Sequence, residues 1–180
     1  MKCYKNIIVI ICFFVFACVK VAWADSYTIT FKTGSGAGTQ ASTSTACSAI
    51  VSSGSEYLSG NLVTANYVYY SAEGGLKISG NNNSGTIKMN LSSAITPTSI
   101  VVRARKYDSS QSATIFKING TPSEGVSISS SFTDIVFDIT TEISYIEMKS
   151  TSKPTIVQSV TIYYDPPCTD PGTFAFSDDS

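Results

Sequence analysis

The residues that could do acid–base chemistry in this chain are carboxylates: there are 13 Asp and Glu and no histidine. Without imidazole there is no His general base, no Ser-His-Asp or Cys-His arrangement and no His-bearing metal site. Asp134 and Asp138 stand four apart in an alternating run. At about 3.3 Å per residue they share a strand face but lie roughly 13 Å apart. A retaining glycosidase pair needs about 5 Å, and an inverting pair under about 10 Å. Within one strand these two cannot cooperate. Glu142 and Glu147 carry no spacing that selects them, so no catalytic residue is assigned and the carboxylates read as solvated strand faces. Paired acids occur only at Asp178-Asp179. A structural calcium would gather six to eight oxygens from separate loops. That ion stays open and unassigned, and no other cofactor is implied. Thr33-Gly34-Ser35-Gly36-Ala37-Gly38-Thr39 lacks the Gly-Lys-Ser/Thr ending and following helix of a phosphate loop. It reads as a flexible loop.

Binding chemistry is better represented. Tyr67-Val68-Tyr69-Tyr70 puts Tyr67 and Tyr69 on one side of a strand and Tyr70 on the other. Tyrosine rings can serve as flat platforms for apolar sugar faces, with Arg, Asn, Gln and Asp to bond hydroxyls. Arg103-Ala104-Arg105-Lys106-Tyr107 sets cations and a ring at an outward strand end. The candidate ligand-binding residues are therefore Tyr67, Tyr69, Arg103, Arg105 and Tyr107. The plainer alternative is that tyrosine suits a half-buried pleat and strand-end cations discourage edge pairing. With 12 Lys and Arg against 13 acids there is no broad basic face, so nucleic acid is excluded as the main partner.

These residues must be positioned by strands. From Ser26 to Tyr164 the pattern has period two, with turn residues every eight to twelve positions. Tyr27–Phe31, Leu62–Tyr70, Gly75–Ile78, Thr86–Leu91, Ser99–Tyr107, Ala113–Asn119, Phe132–Ile139, Ile143–Lys149 and Ile156–Tyr164 make about nine strands. Ile87, Met89 and Leu91 oppose Lys88 and Asn90, and Ile100, Val102 and Ala104 oppose Arg103 and Arg105. Asn119-Gly120-Thr121-Pro122 and Asn81-Asn82-Asn83-Ser84-Gly85 supply turn chemistry, and Pro97 marks a strand start. Only Ala46–Leu58 has a helical option, of about two turns. Short links and one polar face per strand predict an all-β fold: an antiparallel two-sheet β-sandwich of jelly-roll type. An immunoglobulin-like sandwich is the alternative, without the paired cysteines and core tryptophan that mark antibody-type domains.

The ends read differently. A basic start (Lys2, Lys5), an apolar run from Ile7 to Val19 and Ala22-Trp23-Ala24 describe a signal peptide over residues 1–24, cleaved before Asp25. Lys20 interrupts a run already short of the roughly 20 residues a span requires, so the mature chain has no transmembrane segment. Val15-Phe16-Ala17-Cys18 offers a rival, lipidation at Cys18 and anchoring as a lipoprotein. Residues 25–164 form the sandwich domain. Residues 165–180 are a Pro-, Gly- and Asp-rich linker or the start of a truncated next module. Cys47 and Cys168 remain after the leader; a disulfide between them is one option and free or downstream pairing the other.

Tyr27–Lys32, Ile50–Gly54, Thr86–Met89, Pro97–Val102, Ile143–Glu147 and Ser159–Tyr164 resemble a module of exported surface or secreted proteins of gut-dwelling anaerobic bacteria, over about residues 26–164. Such modules look like jelly rolls similar to carbohydrate-binding modules and often precede other β-domains or a secreted hydrolase or nuclease. The resemblance carries no site residues. It implies a secreted or cell-surface, non-catalytic module, carbohydrate-binding-like or adhesive, with a glycan or surface protein as partner and other modules fused or adjacent. The alternatives are a secreted hydrolase whose carboxylates converge only in the fold, and a structural spacer. Mass spectrometry of the mature protein should find Asp25 at the N-terminus; a lipid-modified Cys18 there would replace this reading with the anchored one.

Overall fold

The computed structural model describes residues 25–34, 38–79, 83–111, 114–151 and 153–165. The leader with Cys18, and the tail beyond 165 with Cys168, lie outside these residues. Alternation sets the strands. In β1 (Asp25–Phe31) Tyr27, Ile29 and Phe31 are buried while Ser26 and Thr28 face water. In chain order there follow a single helical turn α1 (Cys47–Ile50), β2 (Val51–Ser53), a 3-10 turn at Ser55–Tyr57, β3 (Leu58–Asn66), β4 (Val68–Tyr70) and β5 (Leu76–Ile78). Then come β6 (Gly85–Ile95), β7 (Pro97–Lys106), β8 (Ile115–Ile118), β9 (Thr121–Ser127), β10 (Thr133–Phe137), β11 (Ile143–Thr151) and β12 (Thr155–Tyr164).

The strands form two antiparallel sheets packed as a sandwich. One runs β10-β7-β12-β1-β2, with β5 also on β12 and β4 on β5; the other runs β3-β6-β11-β8-β9. Since β7 pairs along the full length of β12, β1 and β5 share the opposite side of β12 end to end. Asp25–Thr30 lies against Ser159–Tyr164, and Leu76–Ile78 against Thr155–Val157. From β6 onward the chain alternates between sheets, with only β8 and β9 staying together. Inward side chains of both sheets meet in one core, where Ile29, Ile87, Met89, Ile100, Ile146 and Met148 are fully buried. Phe116 of β8 and Phe137 of β10 bridge the two layers at 6.1 Å between ring centroids.

The two-sheet antiparallel fold agrees with the alternation, but several elements differ from expectation. Among the described residues twelve strands stand where about nine were expected. The helical option over Ala46–Leu58 shrinks to one turn that buries Cys47 and Ile50, then gives way to β2. The run Leu62–Tyr70 divides at Tyr67, whose φ of +51° turns the chain from one sheet into the other. Strand β9 lies where a turn was expected after Asn119. Its Pro122 and Gly125 break the period-two signal, and Gly125 (φ +81°) sits beside a register irregularity against β8.

Gly75 is required by its surroundings. It holds φ +111° at the start of β5, and a Cβ there would drive into the Val157 carbonyl of β12. Gly75→Ala is expected to cost about 2–4 kcal/mol in urea unfolding, from left-handed strain plus overpacking. A change under about 0.5 kcal/mol, the ordinary surface value, would show that β5 does not dock this closely.

Candidate functional site

Strand register defines two ends of the sandwich. At one, Lys106 of β7 pairs with Thr155 of β12, and β5 lies alongside. At the other, Asp25, Pro97 and Tyr164 come together.

The first end gathers three of the five expected ligand residues. Tyr69 of β4 is cross-strand from Lys77 of β5. The Lys77 Nζ lies 5.4 Å from the Tyr69 ring centroid and 4.3 Å from that of Tyr107, so one ammonium holds two rings by cation–π attraction. Glu73 forms an ion pair with Arg105. Arg105 Nη1 also donates to the carbonyls of Lys106 (2.7 Å) and Tyr107 (3.3 Å), and its guanidinium sits 5.2 Å from the Phe132 ring. These bonds fix Tyr107 against β7. Tyr69, Tyr70, Glu73, Lys77 and Tyr107 border a shallow depression of about 210 Å³. Flat rings, an ammonium and a carboxylate around an open hollow suit a polyhydroxylated ligand. Such a ligand needs planar apolar contact together with donors and acceptors.

Arg103 stands two positions earlier on the same face of β7. Its Nε donates to Gln158 Oε1 at 2.9 Å and its Nη1 to Asp134 Oδ1 at 3.0 Å. Both partners of the Arg103–Asp134 ion pair are well exposed, so it orients side chains more than it stabilises the fold. Gly74 lies beside Gln158, which links this pair to the Glu73–Arg105 pair along one stripe. Tyr67 does not join them. The turn at its positive φ separates it from Tyr69, and it stands 40% exposed at the corner between β3 and β4. Sequence reasoning missed Lys77 and Glu73, although Lys77 between buried Leu76 and Ile78 is an outward position by alternation alone.

Cys47 is buried in α1, and burial pushes its thiol pKa up, which makes it a poor nucleophile. Its proposed partner, Cys168, lies outside the described residues. Asp108 accepts from the Ser110 amide (2.9 Å) and hydroxyl (2.8 Å), which holds its carboxyl below the usual range and closes a turn. Among the described residues no group of three or more carboxylates and cysteines comes together as a metal site.

The second end holds a larger cleft, about 460 Å³, that no spacing of residues announces. Tyr27 and Tyr57 stack at 4.1 Å between centroids, 15° from parallel, and Tyr164 crosses Tyr27 at 6.0 Å and 54°. Glu142 and Asp165 also line it. By alternation Tyr27 is a core residue, and it is only 9% exposed; the stacking partner on the 3-10 turn is what turns it into a cleft wall.

Burial first, and then the neighbouring Tyr164 and Tyr57, push the Tyr27 pKa up to about 12. The ordinary value near 10 applies in the unfolded chain, so between pH 10 and 12 the unfolded state sheds a proton that the folded state keeps. Stability from this group is intact below about pH 10 and falls as pH rises toward 12, by roughly 2–3 kcal/mol at about 1.4 kcal/mol per unit. Urea unfolding near the two limits should show this drop in the native chain and a smaller one in Tyr27→Phe; equal slopes would contradict it. No family model matches the chain, and no curated protein matches it at a significant level.

Proposed function

We propose that the chain is an exported, non-catalytic β-sandwich module that binds a glycan through the Tyr69–Lys77–Tyr107 end, at the cell surface or in secretion. The observation that carries this reading is the convergence of Tyr69, Tyr107, Lys77 and Glu73 around one open hollow, with Arg105 paired to Glu73 behind it. The sandwich fits the jelly-roll type, in which successive strands pass between two sheets. The orders β5-β12-β7-β10 and β6-β11-β8-β9 support that assignment, with β1 to β4 as additions at one side. In this reading the module works as an accessory to other domains, as carbohydrate-binding-like and adhesive modules do.

Ring platforms explain why tyrosines would be held at fixed angles by a lysine rather than left free. Immobilised rings lose little entropy when a sugar stacks on them. The Arg103–Asp134–Gln158 group continues the same stripe and offers donors and acceptors in one row across β10, β7 and β12. A secreted hydrolase is the second reading, favoured by Glu142 and Asp165 lining a common cleft at the other end.

Protein purified from cells expressing the full chain, screened on a glycan array and by affinity electrophoresis with and without calcium, tests the proposal. Retardation on at least one polysaccharide is expected, weakened about tenfold by Tyr107→Ala, as a lost ring platform implies. Absence of retardation on every polysaccharide contradicts glycan binding and leaves the adhesive or spacer role. Release of reducing sugar, abolished in Glu142→Gln, would favour the hydrolase instead.

A further inference from the structure

The cleft at the Asp25–Tyr164 end has a chemistry of its own. Its walls are three tyrosine rings at two angles, and its charged lining is Glu142 and Asp165. Among the described residues no lysine or arginine lines it. The surrounding end is acidic as well. Asp25 begins β1 opposite Tyr164, Glu56 precedes Tyr57 in the 3-10 turn, and Asp138 follows β10 where Phe137 pairs with Ile100. Register places Lys77, Arg105 and Lys106 at the opposite end, and Lys88 and Arg103 at mid-strand opposite Glu147 and Asp134. Two carboxylates therefore line the aromatic cleft, and three more lie toward the same end of the sandwich.

Tyr27 is nine-tenths buried and lines the cleft, with its ring held against Tyr57 and Tyr164. Burial keeps this phenol protonated well past neutral pH, so it presents a neutral O–H. Rings with carboxylates at their rim are the arrangement that attracts an organic cation, through the ring quadrupole and through charge.

We propose that the Tyr27–Tyr57–Tyr164 cleft binds an organic ammonium group, with Glu142 and Asp165 as its counter-charges. The inference does not rest on the glycan reading, because the two clusters occupy opposite ends of the sandwich. A quaternary ammonium would use mainly the ring faces. A primary amine would also donate hydrogen bonds to the carboxylates and the Tyr27 hydroxyl. The ligand chemistry is shared, and the preference between the two forms is set by which interaction is larger.

Full-chain protein, titrated with choline, with its neutral carbon isostere, and with butylamine while tyrosine resonances are followed by NMR, tests this. Choline or butylamine should shift Tyr27, Tyr57 and Tyr164 and leave Tyr69 and Tyr107 unmoved; whichever binds tighter identifies the quaternary or primary class. The neutral isostere should bind about tenfold more weakly, in line with a desolvated cation–π and charge contribution. Glu142→Gln combined with Asp165→Asn, both at exposed positions, should weaken binding about fivefold or more while spectral dispersion shows the fold intact. Tyr69→Ala should change nothing here, even if it abolishes glycan binding. Equal binding of the neutral isostere, no shift at these three tyrosines, or an unchanged affinity in the double variant would each overturn the proposal.

Discussion

Everything in this molecule is arranged around β12. It is hydrogen-bonded along one side to β7 and along the other to β1 and β5 in succession. A strand flanked on both sides leaves few backbone donors or acceptors to water, and in β12 the register breaks on both sides only at Gln158, so its side chains can be buried with their amides paired. That is why Val157, Val160 and Ile162 can all be fully buried, and why Thr155, Ile156 and Val157 are buried in immediate succession at its start. The strand also ties the chain's first described strand to its last. The same strand reaches both candidate sites: Thr155–Val157 backs β5 and the Arg105 cluster, and Tyr164 is a wall of the opposite cleft.

The two ends are chemically opposite because β7 and β12 run antiparallel through a common register. The outward residues at the finish of β7 are Arg103 and Arg105, whereas the start of β7 lies beside the acidic loops. Charges that would neutralise one another if mixed are thus kept apart by the length of a strand. At the first end the cations have local partners: Arg105 has Glu73 and two carbonyls, and Lys77 has two rings. At the other end, among the described residues, no lysine or arginine lines the cleft beside Glu142 and Asp165. One end is a preorganised surface of paired charges and rings; the other is an aromatic cleft with acids in its lining.

The sandwich was legible because alternation is a local property of consecutive residues. Tyr27, Ile29 and Phe31, or Ile87, Met89 and Leu91, announce one buried face without knowledge of what they pack on. The misses have equally local causes. β9 carries Pro122 and Gly125, and with intermediate or exposed burial throughout it shows no period at all. Tyr67 sits in a run that looks continuous, and only its positive φ divides that run between sheets. Site geometry was legible in part. Arg105 lies near the end of β7 and Tyr107 just past it, two residues on, so their proximity could be read directly. Their meeting with Tyr69 and Lys77 depends on β5 docking beside β12, and no spacing encodes that. The tyrosine cleft was hidden for a sharper reason: Tyr57 precedes a strand by one residue, and Tyr27 and Tyr164 belong to the first and last strands, far apart in sequence.

The central claim is that β12, paired on both sides, is the element from which the rest is hung. Residue-resolved amide hydrogen exchange addresses it most directly, since protection reports which backbone bonds open only with global unfolding. Amides of β12 that bond to β7, β1 and β5 are expected to exchange slowest in the protein, with edge strands β9 and β10 markedly faster. Exchange of the β12 amides at the rate of those edges would contradict the claim and place the organising element elsewhere.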